Sequence, residues 1–128
     1  MALFCTDSVT LAYSDIESAK RWWIGTFDCK PVSVPSDWDC QLPSDVALQL
    51  PGSDAPTILL SSKSEIDQAG MQRPSDLTAV IFCERLNKGH EQLMNRGVLP
   101  GPIQDGGDTQ FFEIRDSEGN VIQICKEQ

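Results

Sequence analysis

The residues best placed to do chemistry lie near the C-terminal end of the chain. Thr109–Ile114 and Val121–Cys125 alternate like strands, and Arg115–Asn120 between them carries Gly119 in a hairpin-like turn. Centring that hairpin on Glu118 sets Glu113 opposite Gln123 on one face, with Phe111 and Cys125 one step further along. A carboxylate beside an amide is suited to hold a cationic or hydrogen-bond-donating group. A register off by one residue would instead turn Glu113 to solvent. Cys125 shares the face, but no histidine or basic partner accompanies it in the motif, so it reads as a packing cysteine and not a nucleophile. A second candidate is Trp38, set between Asp37 and Asp39 in the loop from Ser36 to Pro43. Its indole could stack on a planar ligand, form a dimer contact, or pack the loop onto the sheet. The single histidine, His90, falls on a helix beside Leu86, Leu93 and Met94 and reads as a partly buried helix residue. One histidine cannot build a multi-histidine metal centre within one chain.

The elements that must carry these groups fall into two similar halves. Ser8–Tyr13 alternates as a strand, Ser14-Asp15 offers an N-cap, and Ile16, Ala19, Trp23 and Phe27 form one helical stripe. Cys29–Val34, Val46–Leu50 and Thr57–Ser61 read as strands divided by Pro-, Gly-, Ser- and Asp-rich turns. After a polar connector the order repeats: strand Leu77–Cys83, helix Asn87–Arg96 stopped by Gly97, a loop or weak edge strand in 100–107, then the closing hairpin. The expected architecture is α+β, two βαβββ modules (about 6–62 and 76–128, joined by a connector at 63–75) whose curved mixed sheet surrounds a concave groove. A chain of 128 residues makes one domain, and neither half could cover its own apolar sheet face.

Composition narrows the function. Five scattered cysteines without a CxxC pair suit a reducing compartment, and no signal peptide or membrane-length apolar run is evident, so a cytoplasmic protein is expected. Ten basic residues against nineteen acidic ones, a net charge of −9, argue against nucleic acid and anionic membranes as partners. The charge mainly favours solubility.

Leu11–Trp23 and the hairpin from Phe111 to Ile124, with Asp116-Ser-Glu-Gly-Asn120 at its turn, resemble the opening and closing elements of the vicinal oxygen chelate superfamily. That superfamily includes glyoxalase I, bleomycin-resistance proteins, fosfomycin-resistance enzymes and extradiol dioxygenases, and the resemblance spans nearly the whole chain. It implies four metal-ligand positions, which fall near Ser8 and Thr78 on the first strands and at Leu59 and Gln123 on the last. Only Gln123 is a plausible ligand, and shifting the frame by two residues adds Asp76 or Cys125 but never both. The expectation is a member without a metal centre or other cofactor and without a catalytic residue. It would bind a small organic molecule, cationic or aromatic, in a groove formed with Trp38, Phe82, Phe111, Glu113 and Gln123. The alternatives are a metal-dependent lyase, isomerase or dioxygenase of the same superfamily, and a degenerate interaction domain. The resemblance also implies a homodimer.

Overall fold

The structure is a computed structural model that describes residues 4–6, 9–38, 42–70 and 79–126. Their elements run β1 (Phe4–Cys5), β2 (Val9–Tyr13), α1 (Ile16–Phe27), β3 (Lys30–Val32), β4 (Val46–Gln49), β5 (Ile58–Ser62) and α2 (Lys63–Ala69). The second half follows as β6 (Ala79–Cys83), α3 (Leu86–Asn95), β7 (Gln104–Asp105), β8 (Gln110–Arg115) and β9 (Val121–Lys126). The strands form two mixed sheets, β1-β6-β9-β8-β7 and β2-β5-β4-β3, and the fold is α+β as expected. In each half the first long strand lies parallel to the last, β2 to β5 and β6 to β9, which is the repeat seen in the sequence.

Local chemistry explains the elements. Asp15 caps α1, its carboxylate accepting from the Ser18 N–H at 3.1 Å, and Ala19, Trp23 and Phe27 bury the predicted stripe. The helix stops where Asp28 enters the left-handed region at φ 58° and its N–H returns to the Ile24 carbonyl. One face of each sheet packs on a helix: Leu11, Ile58, Leu60 and Leu48 in the first half, Ile81, Ile122, Ile124, Phe112 and Ile114 in the second. Those residues, with Tyr13, Trp23 and Phe27, make one continuous core across both halves.

One expectation needs correction, that of Met94, and two short elements carried no sequence pattern. Within the connector at 63–75, Lys63–Ala69 forms α2; its one buried apolar residue, Ile66, is too little to give a periodic signal. Residues 71–78, including Leu77, Thr78 and Asp76, lie outside the described residues. Met94 is 55% exposed, because the buried side of α3 is Leu86, Gly89 and Leu93 and the next position is rotated away. The two-residue β1, too short for a sequence pattern, pairs antiparallel with β6.

The same stretch of chain thus edges both sheets, β1 on the second-half sheet and β2 on the first-half sheet. Side chains reinforce this seam. Phe4 meets Phe27 edge-on at 5.1 Å, and Arg96 donates to the Thr26 carbonyl at the end of α1 and pairs with Asp28 at 3.1 Å. At the other end the Tyr13 hydroxyl donates to Asp116 at 2.6 Å, and the Glu118 carboxylate accepts from the Ser14 and Asp15 N–H groups at 3.0 and 2.7 Å.

Two core groups set an alkaline limit. Burial, then the hydrogen bond to Asp116, raises the Tyr13 pKa; burial, then the Asp28 charge, pushes the Cys29 thiol up to about 12. A raised folded-state pKa contributes stability below the unfolded value, about 8.5 for cysteine and 10 for tyrosine, and that contribution is lost as pH rises past it. Stability should therefore fall above about pH 9, by up to about 1.4 kcal/mol per pH unit for Cys29 alone. Urea titrations at stepped pH should show this slope, and Cys29→Ala should flatten it between about pH 9 and 10, before tyrosine begins to contribute. An unchanged slope in the variant would refute the assignment.

Candidate functional site

The sheet faces turned away from α1 and α3 differ sharply between the halves. On the first-half sheet this reverse face carries the row Thr10–Leu59–Ala47–Val32 and, one step on, Ala12–Ser61. Leu59 is 6% exposed and Ala47 and Ser61 are fully buried, so the chain itself covers this face. Leu59, Ala12 and Ala47 stand outside the main core, as does Ile66 of α2. Glu65 of α2 accepts from the Ser44 N–H and hydroxyl, which ties the helix to the approach to β4.

The reverse face of the second-half sheet is open. The hairpin register sets Glu113 opposite Gln123 and Phe111 opposite Cys125, and β9 in turn sets Val80 beside Gln123 and Phe82 beside Cys125. Two rows result: Val80–Gln123–Glu113 and Cys5–Phe82–Cys125–Phe111–Gln104. Glu113 is exposed, and Phe82, Phe111, Gln123 and Cys125 are half-buried. The Cys125 thiol donates to Gln123 Oε1 at 3.5 Å, which leaves the amide N–H groups for another partner. Burial raises the Cys125 pKa, so the thiol stays protonated and is a poor nucleophile near neutral pH.

Four of the five sequence-predicted groove residues, Phe82, Phe111, Glu113 and Gln123, therefore share one face of one sheet. Trp38 belongs to the other half. It follows β3 in a tight turn, its N–H donating to the Pro35 carbonyl at 3.1 Å, and is half-buried; Asp39 lies outside the described residues. Cys5 is on the site face yet gave no sequence signal, because only the β1–β6 pairing places it there. His90 stays on α3, its Nε2 2.9 Å from the Gly101 carbonyl oxygen and its ring edge-on to Phe112.

This is the fold of the vicinal oxygen chelate superfamily, the glyoxalase/bleomycin-resistance architecture. A glyoxalase/bleomycin resistance protein/dioxygenase superfamily member from Sphaerobacter thermophilus DSM 20745 superposes with a TM-score of 0.70 at 19% identity, over 96% of this chain and 97% of that one. TnmS3, an antibiotic binding protein from Streptomyces sp. CB03234, does so at 0.68 and 16% identity, over 100% and 99%. TioX from Micromonospora sp. ML1 gives 0.68 and 16%, over 97% and 99%. No family model matches the sequence, and no curated protein matches it. Among the described residues no helix is long and apolar enough to cross a membrane.

The superfamily's metal can be tested against the residues present. Ser8 and Thr78 lie outside the described residues. Leu59 occupies its position with a buried hydrocarbon side chain, in a row with no ionisable group. Gln123 already accepts a hydrogen bond, from a thiol held protonated. Among the described residues no three of His, Cys, Asp and Glu cluster, and the donors at Leu59 and Gln123 do not fit a divalent ion.

Proposed function

We propose that this chain is a metal-free binding protein that holds a small cationic or aromatic organic molecule on the open face of the second-half sheet. The observation that carries the reading is the row pair on that face: Glu113 and Gln123 side by side, next to Phe82 and Phe111. Phe82 and Phe111 supply flat apolar surface, Glu113 an acceptor carboxylate, and Gln123 amide donors. None of these side chains forms or breaks a bond; affinity comes from stacking and a partly desolvated charge. TnmS3, an antibiotic binding protein, has the same fold, which supports a binding role here. Trp38 covers the ligand from the other half in this reading, and a second copy of the chain walls the groove, so the protein works as a cytoplasmic homodimer without nucleic acid, membrane or cofactor.

The test is a thermal-shift series with planar aromatic cations of the acridine, phenanthridinium and quinolinium classes. A ligand at about 100 times its dissociation constant adds roughly 2.7 kcal/mol of stability. Glu113→Gln and Trp38→Ala should each remove most of that shift while leaving the unliganded Tm within about 2 °C, since neither residue belongs to the main core. An unchanged response in both variants discards the groove, and stoichiometric Mn, Fe, Ni or Zn in the purified protein would return the reading to a metal-dependent enzyme.

A further inference from the structure

The hydrogen-bonding groups on the open face have a fixed order. An ionised Glu113 only accepts. Gln123 could present either end of its amide, but its Oε1 takes the proton of the Cys125 thiol at 3.5 Å, and burial keeps that thiol protonated. The N–H groups of Gln123 are therefore the end turned to a ligand. Glu113 and Gln123 stand opposite one another in the β8–β9 register, so one rung sets a pair of acceptors beside a donor, with Cβ atoms about 4.5–5.5 Å apart. The next row supplies a seat. Cys125, a small side chain, lies between Phe82 and Phe111, whose strands are roughly 9.5 Å apart. The Phe111 ring rests against Gly106 on the side of β8 away from β9, where an added Cβ would come within 3.2 Å of its Cε1. It thus leans away from Cys125, which stays half-buried as the floor.

We propose that the ligand of this face is a planar, uncharged heterocycle with an amino-oxo edge, in which an amino group and a ring N–H stand side by side and a carbonyl follows. The two donors go to the two Glu113 carboxylate oxygens, the carbonyl accepts from the Gln123 amide, and the ring lies over Cys125 between the two phenylalanines. A carboxylate spans two adjacent donors, and the spacing of one rung brings the neighbouring amide to the third position. A simple cation would satisfy Glu113 but leave the Gln123 donors unmatched. The inference rests on the reading of this face as a binding groove and names the class of molecule it takes.

Calorimetric titration of the full chain with pterin is the test. Two analogues serve as controls: lumazine puts a carbonyl in place of the amino group, and 2,4-diaminopteridine puts an amino group in place of the carbonyl. Pterin should bind at least about tenfold more tightly than either, because each replacement sets like against like at one contact. Glu113→Gln should bring pterin and lumazine to within about twofold of each other, since an amide can present either end. Cys125→Ala releases Gln123 to turn its oxygen outward, so the preference for pterin over the diamino analogue should fall at least about threefold. If Cys125 serves packing alone, its loss weakens both ligands equally and leaves that ratio unchanged, which would overturn the proposal. Lumazine binding as tightly as pterin would also overturn it. Glu113-dependent binding of acridinium-type cations with pterin inert refutes this ligand class and leaves the proposed function standing; binding of neither discards both.

Discussion

Asp116→Ala is expected to cost about 3–4 kcal/mol of folding free energy, the largest loss from any single polar substitution in the chain. The carboxylate is 8% exposed and accepts from the Tyr13 hydroxyl at 2.6 Å, the Asn120 N–H at 2.8 Å, the Glu118 N–H at 3.0 Å and the Asn120 side-chain amide at 3.1 Å. Tyr13 is fully buried and also accepts from Trp23 Nε1 at 2.9 Å, so its proton has no alternative acceptor and cannot turn to water. Removing the carboxylate strands that hydroxyl and two turn N–H groups together. Asp116→Asn keeps an acceptor oxygen and should lose only about 1–2 kcal/mol, and Tyr13→Phe a similar amount. Urea unfolding of the two single variants Tyr13→Phe and Asp116→Ala and of the double variant measures the coupling, expected at about 1–2 kcal/mol. A cost below about 1 kcal/mol for Asp116→Ala would mean the hairpin is held without this bond. The link also reaches function, because β8 and β9 carry Glu113 and Gln123 on opposite sides of the turn that Asp116 closes.

What was legible in the sequence follows from period and register. The α1 stripe, the Asp15 cap and the closing hairpin rest on local patterns, and the hairpin register brought Glu113 to Gln123 and Phe111 to Cys125 as read. Asp116, by contrast, reads locally as a turn residue. Its bond to Tyr13 spans 103 positions, and nothing nearby in the sequence announces it. Cys5 was silent for the same reason, since its place on the open face comes from a pairing that only the folded sheet creates. The burial of the first-half reverse face was hidden because Leu59, Ala47 and Ser61 read locally as ordinary strand residues. The symmetric cup implied by the repeat is thus unequal: closed by the chain itself over Leu59, open over Gln123.

That inequality bears on Leu59→Glu, which places at this position the carboxylate that the superfamily resemblance leads one to expect. The leucine is 6% exposed between Thr10 and Ala47, and no cation or ionisable partner shares its row. The variant loses the burial of a leucine side chain, about 1.5–3 kcal/mol, and must either bury a charge or protonate the new carboxyl at a further cost. The expected total is about 4 kcal/mol, visible as a drop in Tm of roughly 12 °C or more for a chain of this size. If the neighbouring positions formed a latent metal site, Mn²⁺ or Ni²⁺ would restore much of the loss, because a bound ion supplies the missing counter-charge and adds its binding energy to folding. The donors described around Leu59 and Gln123 predict no restoration, since a thiol held protonated and an amide oxygen already engaged leave the new carboxylate as the sole strong ligand. Recovery of the parent Tm with either ion would show that the first half retains a metal-binding frame and that a single side chain had switched it off.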